Sequence, residues 1–189
     1  MKIKKEQEII KILFKDPLTP YNSRNISNLV GISHAGSFKA LKKLEKREIV
    51  KSQKIGNASI YSLNMENPLT LREIEMVLTI EAQNHKRWVE EFRQLKDKIN
   101  FAILFGSILK REDSAKDIDL LVVADKTMFN EIKSIINKKN KILLKKVHLI
   151  LQEKKDFEKD MQNKNNAIMK IIKTGVILFG QEEITKNIL

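Results

Sequence analysis

The chain has 189 residues, a formal charge of +12, no cysteine, and 42% apolar against 32% charged residues. That composition suits one or two folded domains and excludes disulfides, thiolate metal sites and a disordered polyelectrolyte. No apolar run approaches ~18 residues, so no membrane span is expected. The opening MKIKKEQEII lacks the apolar stretch of a secretory signal, so a cytoplasmic protein is expected.

The charge is unevenly spread. Residues 1–66 hold 13 Lys/Arg against 6 Asp/Glu, residues 67–100 hold six of each, and residues 101–189 hold 17 against 12. A basic surplus concentrated in one short segment points to a polyanion, most simply nucleic acid. An A/T-rich coding bias toward Lys, Ile and Asn would produce part of the same surplus.

Ile9, Ile10, Leu13 and Phe14 recur at helical spacing, and the helix they predict should end near Asp16, because Pro17 disfavours helix before it. Asn22 or Ser23 can cap a second helix whose buried face is Ile26, Leu29 and Val30. Gly31 breaks it, and Ser33 caps a third helix running to about Arg47. Phe38, Leu41 and Leu44 lie on one side of that helix, with Lys39, Lys42, Lys43 and Lys46 elsewhere. Two strand-like runs, IVKSQKIG and ASIYSLN, then meet at Gly56-Asn57, a two-residue hairpin signal.

Over roughly Glu6 to Asn64 the segment GISHAGSFKALKKLEKREIV resembles the turn and recognition helix of winged helix-turn-helix transcription regulators, with a wing ending in YSLN. The family's usual glycine after the recognition helix is Glu48 here. The resemblance implies double-stranded DNA as partner. Ser33, His34, Ser37 and Lys39 would lie nearest the bases, and Lys42, Lys43, Lys51 and Lys54 would contact phosphates. The same lysines would also suit a solvated helix face.

Pro68 marks a boundary. Beyond it Leu71, Ile74, Leu78, Glu81, His85, Trp88, Phe92, Leu95 and Ile99 alternate spacings of three and four, a heptad seam along a long connecting helix. Such a seam either pairs two chains as a homodimer or packs on its own domain.

From Phe101 an apolar run, FAILF, leads into Gly106-Ser107, where a close backbone, a hydroxyl and helix N-terminal amides suit a phosphate. The alternation in Asp117-Ile118-Asp119 puts both carboxylates on one face of a strand, a donor pair for a hard cation such as Mg²⁺. FGSILKREDSAKDIDLLVV resembles the signature of the DNA polymerase beta-like nucleotidyltransferase superfamily, in the small branch that includes the minimal nucleotidyltransferases of toxin–antitoxin pairs. It is also similar to the core of aminoglycoside nucleotidyltransferases. The resemblance spans about 99–180 and implies that Gly106 and Ser107 hold a nucleoside triphosphate, with Asp117 and Asp119 binding Mg²⁺.

The departures are specific. Lys110 and Arg111 stand where the family has a glycine, Lys116 stands where it has serine, and the spacer is one residue short. Active members carry a third carboxylate on a later strand, and the matching position in VHLIL is His148, at best a substitute base. Glu112, Asp113 and Glu153 are other carboxylates to weigh for that role.

The sequence therefore predicts an α+β protein: a winged helix over 1–66, a connecting helix over 67–99 and a small mixed-sheet nucleotidyltransferase fold over 100–189. The expected function is a DNA-binding regulator whose second domain binds Mg²⁺–nucleotide. The alternatives are an antitoxin-type enzyme, moving a nucleoside monophosphate from a triphosphate to a hydroxyl on a protein, nucleic acid or small molecule, and an inactive scaffold for a partner such as a small helical toxin.

Overall fold

The computed structural model describes residues 3–187 and divides the chain, inside one helix, into two compact units, with the division between Ile80 and Glu81. The protein is α+β, with its mixed sheet in the C-terminal half. No helix among the described residues is long and apolar enough to cross a membrane.

In the first unit, α1 (Lys5–Lys15), α2 (Ser23–Val30) and α3 (His34–Lys46) precede a hairpin of β2 (Val50–Ile55) and β3 (Ala58–Leu63). Asn22 caps α2, its side chain accepting from the Asn25 amide. Gly31 ends that helix in the left-handed region, at φ 67°. Ser33 caps α3, accepting from the Gly36 amide at 3.0 Å. Gly56 has φ 59° and Asn57 does not share its sign, which fits a turn with glycine at its first central position. A short strand the sequence did not announce, β1 (Tyr21–Asn22), pairs antiparallel with β3.

The core of this unit includes Ile9, Ile10, Leu13, Phe14, Ile26, Val30, Leu41 and Leu44. Leu29, expected on the buried face of α2, is 58% exposed, and Phe38, on the apolar side of α3 with Leu41 and Leu44, is 48% exposed. In their stead the buried positions of α3 are filled by Ser37, Ala40, Leu41 and Leu44. Glu45 accepts from Lys42 and from the Ser52 hydroxyl, tying α3 to β2 and holding its carboxyl below the usual carboxylate range. That stabilisation is present at neutral pH and fades as the pH falls through the depressed value.

Glu48, where a glycine was expected, has φ 57°. Its carbonyl accepts from the side-chain amides of Asn64 at 2.9 Å and Asn67 at 3.1 Å, which hold the conformation against its steric cost. Glu48→Gly should therefore stabilise the first unit by about 1 kcal/mol, the left-handed penalty less the entropy of glycine. Thermal unfolding of the full chain checks this, and a lower midpoint would refute it.

The seam over 67–99 is not one helix. It forms α4 (Pro68–Asn84), α5 (Lys86–Glu91) and a 3₁₀ stretch over Arg93–Lys98, with His85 and Phe92 leaving helical geometry between them. Those bends turn Trp88, Phe92 and Leu95 into the apolar cluster of the second unit, where all three are buried. They are not free to pair two chains. Trp88 and Phe92 stack with ring centroids 6.2 Å apart.

The second unit is built on a four-stranded sheet in the order β6-β5-β4-β7, from β4 (Phe101–Phe105), β5 (Asp117–Val123), β6 (Lys146–Gln152) and β7 (Val176–Phe179). β4 is antiparallel to β5 and β7, while β5 and β6 run parallel, joined through α6 (Phe129–Ile142). Ala102, Leu104, Ile118, Leu120 and Val122 face the Trp88 cluster together with Ile132 and Ile136 of α6. On the other face Phe101 meets Phe157 edge-on at 4.8 Å, within α7 (Lys154–Gln162). Helices α8 (Asn166–Thr174) and α9 (Gln181–Asn187) flank β7 in sequence. The strand period of two puts Asp117 and Asp119 on the same face as Leu121 and Val123.

Candidate functional site

The site assembles where β4 ends. Phe105 is the cross-strand partner of Asp119, and Gly106 then leaves the sheet with φ 83° and ψ −157°, a conformation essentially reserved for glycine. A Cβ at Gly106 would land on the Asp119 carboxylate, with Cγ only 3.0 Å away. The absent side chain is thus the space in which that carboxylate lies. Ser107 begins a single 3₁₀ turn, Ser107–Leu109, anchored by buried Ile108. The expected helix N-terminus is only this turn, and the Ser107 carbonyl accepts from the amides of Lys110 and Arg111. The Ser107 side chain faces solvent.

Asp117 and Asp119 are both half-buried. The parallel register pairs Asp119 with His148 and Asp117 with Lys146. His148 Nδ1 stands 3.3 Å from Asp119 Oδ1, a long hydrogen bond when that nitrogen carries the proton. The imidazole is 70% exposed and the Asp119 side chain 21%. Asp117 has no hydrogen-bond or ion-pair partner among the described residues, since Lys146 donates instead to the Asn140 carbonyl. Asn140 also brackets Val147, donating to its carbonyl and accepting from its amide at 2.7 Å, which fixes the start of the strand that carries His148.

The loop over 110–116 is held by a residue the sequence did not reveal. Lys145 Nζ donates to the carbonyls of Ala115 at 2.5 Å and Asp113 at 3.3 Å. Lys110, Arg111 and Lys116 are exposed on the segment between Leu109 and β5 and make no ion pair among the described residues. None of the other carboxylates takes the missing position. Glu153 follows Gln152 at the opposite end of β6 from His148 and faces Lys126 at 3.6 Å; Glu112 is paired with Arg87; Asp113 is exposed on the loop.

Among the described residues no three His, Cys, Asp or Glu side chains gather as a metal site. Two carboxylates suffice for Mg²⁺ when substrate phosphates and water complete its shell, so the oxygen pair fits that ion and the imidazole adds nothing to it.

In the first unit the expected base-contacting residues separate. His34 and Lys39 are exposed on the first half of α3. Ser33 already uses its hydroxyl as the cap. Ser37 is a correction: it is 0% exposed and its hydroxyl donates to the Ser23 carbonyl at 2.9 Å, so it cannot reach a base. Lys42 pairs with Glu45 at 2.6 Å, Lys51 with Glu66 at 2.9 Å, and Lys43 with Glu6 of α1 at 2.9 Å, on the side of α3 turned to that helix. Such surface pairs are worth ~0–1 kcal/mol and yield readily to a phosphate. Lys54 and Lys46 are exposed without an ion pair among the described residues. The sequence missed Arg24 and Phe38, which line an open groove of about 510 Å³ with His34, Asn57, Ser59 and Tyr61.

The family profile described as "Polymerase beta, Nucleotidyltransferase" matches residues 88–184, more than half of the chain. The chain belongs to this nucleotidyltransferase family. The matched segment holds Gly106, Asp117, Asp119 and His148 and excludes the first unit. No curated protein matches the chain. Among solved structures it is similar to a point mutant of Lactococcus lactis ZitR, at 15% identity over 74% of this chain and 75% of that one, with a TM-score of 0.34. A cysteine-to-serine mutant of ZitR in complex with DNA is similar at 17% identity over 74% and 75%, again with a TM-score of 0.34. Likeness at that level is too loose to assign a fold.

Proposed function

We propose that the protein is a DNA-binding regulator whose nucleotidyltransferase domain binds a Mg²⁺–nucleoside triphosphate. The observation that carries the nucleotide reading is the carboxylate pair on β5, with Asp119 lying in the space that Gly106 leaves open. Asp117 and Asp119 would hold Mg²⁺, which when bound neutralises triphosphate oxygens and polarises them. Gly106 and the Ser107 hydroxyl would sit against the phosphates, with Lys110, Arg111 and Lys116 adding positive charge around them. His148 stands where the family resemblance places a third carboxylate, and this favours binding over transfer. An imidazole can accept a proton from an acceptor hydroxyl but leaves the ion one oxygen ligand short.

The test is equilibrium binding of labelled nucleoside triphosphates with and without Mg²⁺, followed by assay for transfer to added acceptors. Asp117→Asn and Asp119→Asn each remove a charge at constant shape. Each should cut Mg²⁺-dependent affinity by at least about ten-fold, the scale of one charge-assisted contact. Undiminished binding in a folded double variant would refute the site.

For the first unit, the proposal is a winged helix-turn-helix on double-stranded DNA, supported by the three helices, the hairpin and the local charge surplus. The start of α3 would enter the major groove, with phosphates along Lys39, Lys46 and Lys54. Replacing these three lysines with alanine should weaken binding to all sequences alike and flatten the salt dependence by about 0.9 logarithmic units per lost phosphate contact. Lys43→Ala, on the α1 side, should change it little. No mobility shift of duplex DNA by the full-length protein at low salt would refute DNA binding, and a shift that ignores salt would refute the phosphate contacts.

A further inference from the structure

We infer that Phe38 reads thymine, by packing its ring on the C5 methyl group at the major-groove edge of a base pair. The inference rests on the DNA-binding reading and names what that surface recognises. Among the described residues, Phe38 is the one aromatic in the set of large apolar side chains left exposed. The core gives it no place, because Ser37 and Leu41 fill the neighbouring buried positions of α3 completely. It stands one helical turn after His34 and one turn before Lys42, whose ammonium lies 5.8 Å from the ring centroid. The ring thus projects beside a groove that Arg24, His34, Asn57 and Ser59 line with polar groups, together with Ala58 and Tyr61.

A surface with this charge and these donors suits duplex DNA, and a phenyl ring can form no hydrogen bond with a base edge. The apolar feature that B-DNA offers in the major groove is the thymine methyl. His34, on the same exposed stretch of helix, carries hydrogen-bonding capacity for a neighbouring base. Lys42, drawn over the ring, and Arg24 across the groove are the cations that would bracket it on phosphates. A ring lodged against deoxyribose would be indifferent to the methyl group, so the two placements separate experimentally.

The experiment enriches binding sites from an unmethylated random-sequence duplex pool with the full-length protein. Each enriched site is then remade with deoxyuridine replacing one thymine at a time, which deletes only the methyl group. In wild type, deoxyuridine at one thymine position should lower affinity about four-fold, the scale of one methyl group's burial. Phe38→Ala should bind the thymine and deoxyuridine duplexes equally, and Phe38→Leu should retain part of the preference. Thermal unfolding of both variants shows whether they are folded, and an exposed position predicts that they are. A pool that enriches with no thymine sensitive to methyl removal overturns the inference and leaves DNA binding intact. So does a Phe38→Ala protein that keeps the wild-type preference. A pool that does not enrich at all overturns the DNA-binding reading itself, and this inference with it.

Discussion

Under the proposed function, Gly106→Ala is expected to remove Mg²⁺-dependent nucleotide binding while leaving the proposed binding of duplex DNA by the first unit unchanged. At φ 83° and ψ −157° an alanine is strained whatever space surrounds it, by about 1–3 kcal/mol. Here there is also no space, because the new Cβ would fall on the Asp119 carboxylate. Either the backbone after β4 must rotate, carrying Ser107 with it, or Asp119 must swing aside. Both outcomes would separate the backbone proposed to contact phosphate from the carboxylate proposed to bind Mg²⁺. A misplacement near 1 Å in such a constellation costs on the order of 10²-fold, so affinity should fall by about that factor. Calorimetric titration with a nucleoside triphosphate and Mg²⁺ gives the readout, with circular dichroism to verify folding. A folded variant with wild-type affinity would show that the triphosphate does not use this turn.

That coupling of Gly106 to Asp119 was half legible in the sequence. Strand, Gly-Ser and Asp-Ile-Asp follow local rules, the period of two and the special backbone of glycine, and such rules survive folding. The closeness of the two residues depends on antiparallel register, Phe105 against Asp119, which spacing alone does not supply. Caps were legible for the same local reason: Ser33 and Gly31 act on amides and carbonyls within a few residues. Burial was less so. Ser37 reads as a polar residue on an exposed helix, yet a carbonyl 14 positions earlier satisfies it in the core. Phe38 reads as a core residue and is not one, because the face of α3 that is buried is fixed by where α1 and α2 lie. Lys145 offers no signal among so many lysines, and its partners lie about thirty residues away. His148 was singled out through the family resemblance; its approach to Asp119 needed the parallel pairing of β5 with β6.

Phe92→Ala should unfold the second unit over a wide range of conditions rather than dissociate a dimer. The spacing of Trp88, Phe92 and Leu95 is the same whether a helix pairs with another chain or folds onto its own domain, so periodicity left both readings open. The bends at His85 and Phe92 decide between them, since they deliver all three side chains into one cluster with Leu104, Leu120 and Val122. Phe92 is fully buried and stacked on Trp88. Removing a buried phenyl ring costs about 3–5 kcal/mol, the lost transfer energy plus the cavity left behind. That is a large share of the ~5–15 kcal/mol that holds a typical domain together. Trp88 is the sole tryptophan, so its emission reports on this unit alone. In urea the midpoint of that signal should fall by at least ~1 M, given slopes of about 1–3 kcal/mol/M for small domains. Sedimentation of the folded variant below that midpoint should match wild type. An unchanged urea midpoint together with a loss of half the sedimenting mass would instead place Phe92 between two chains.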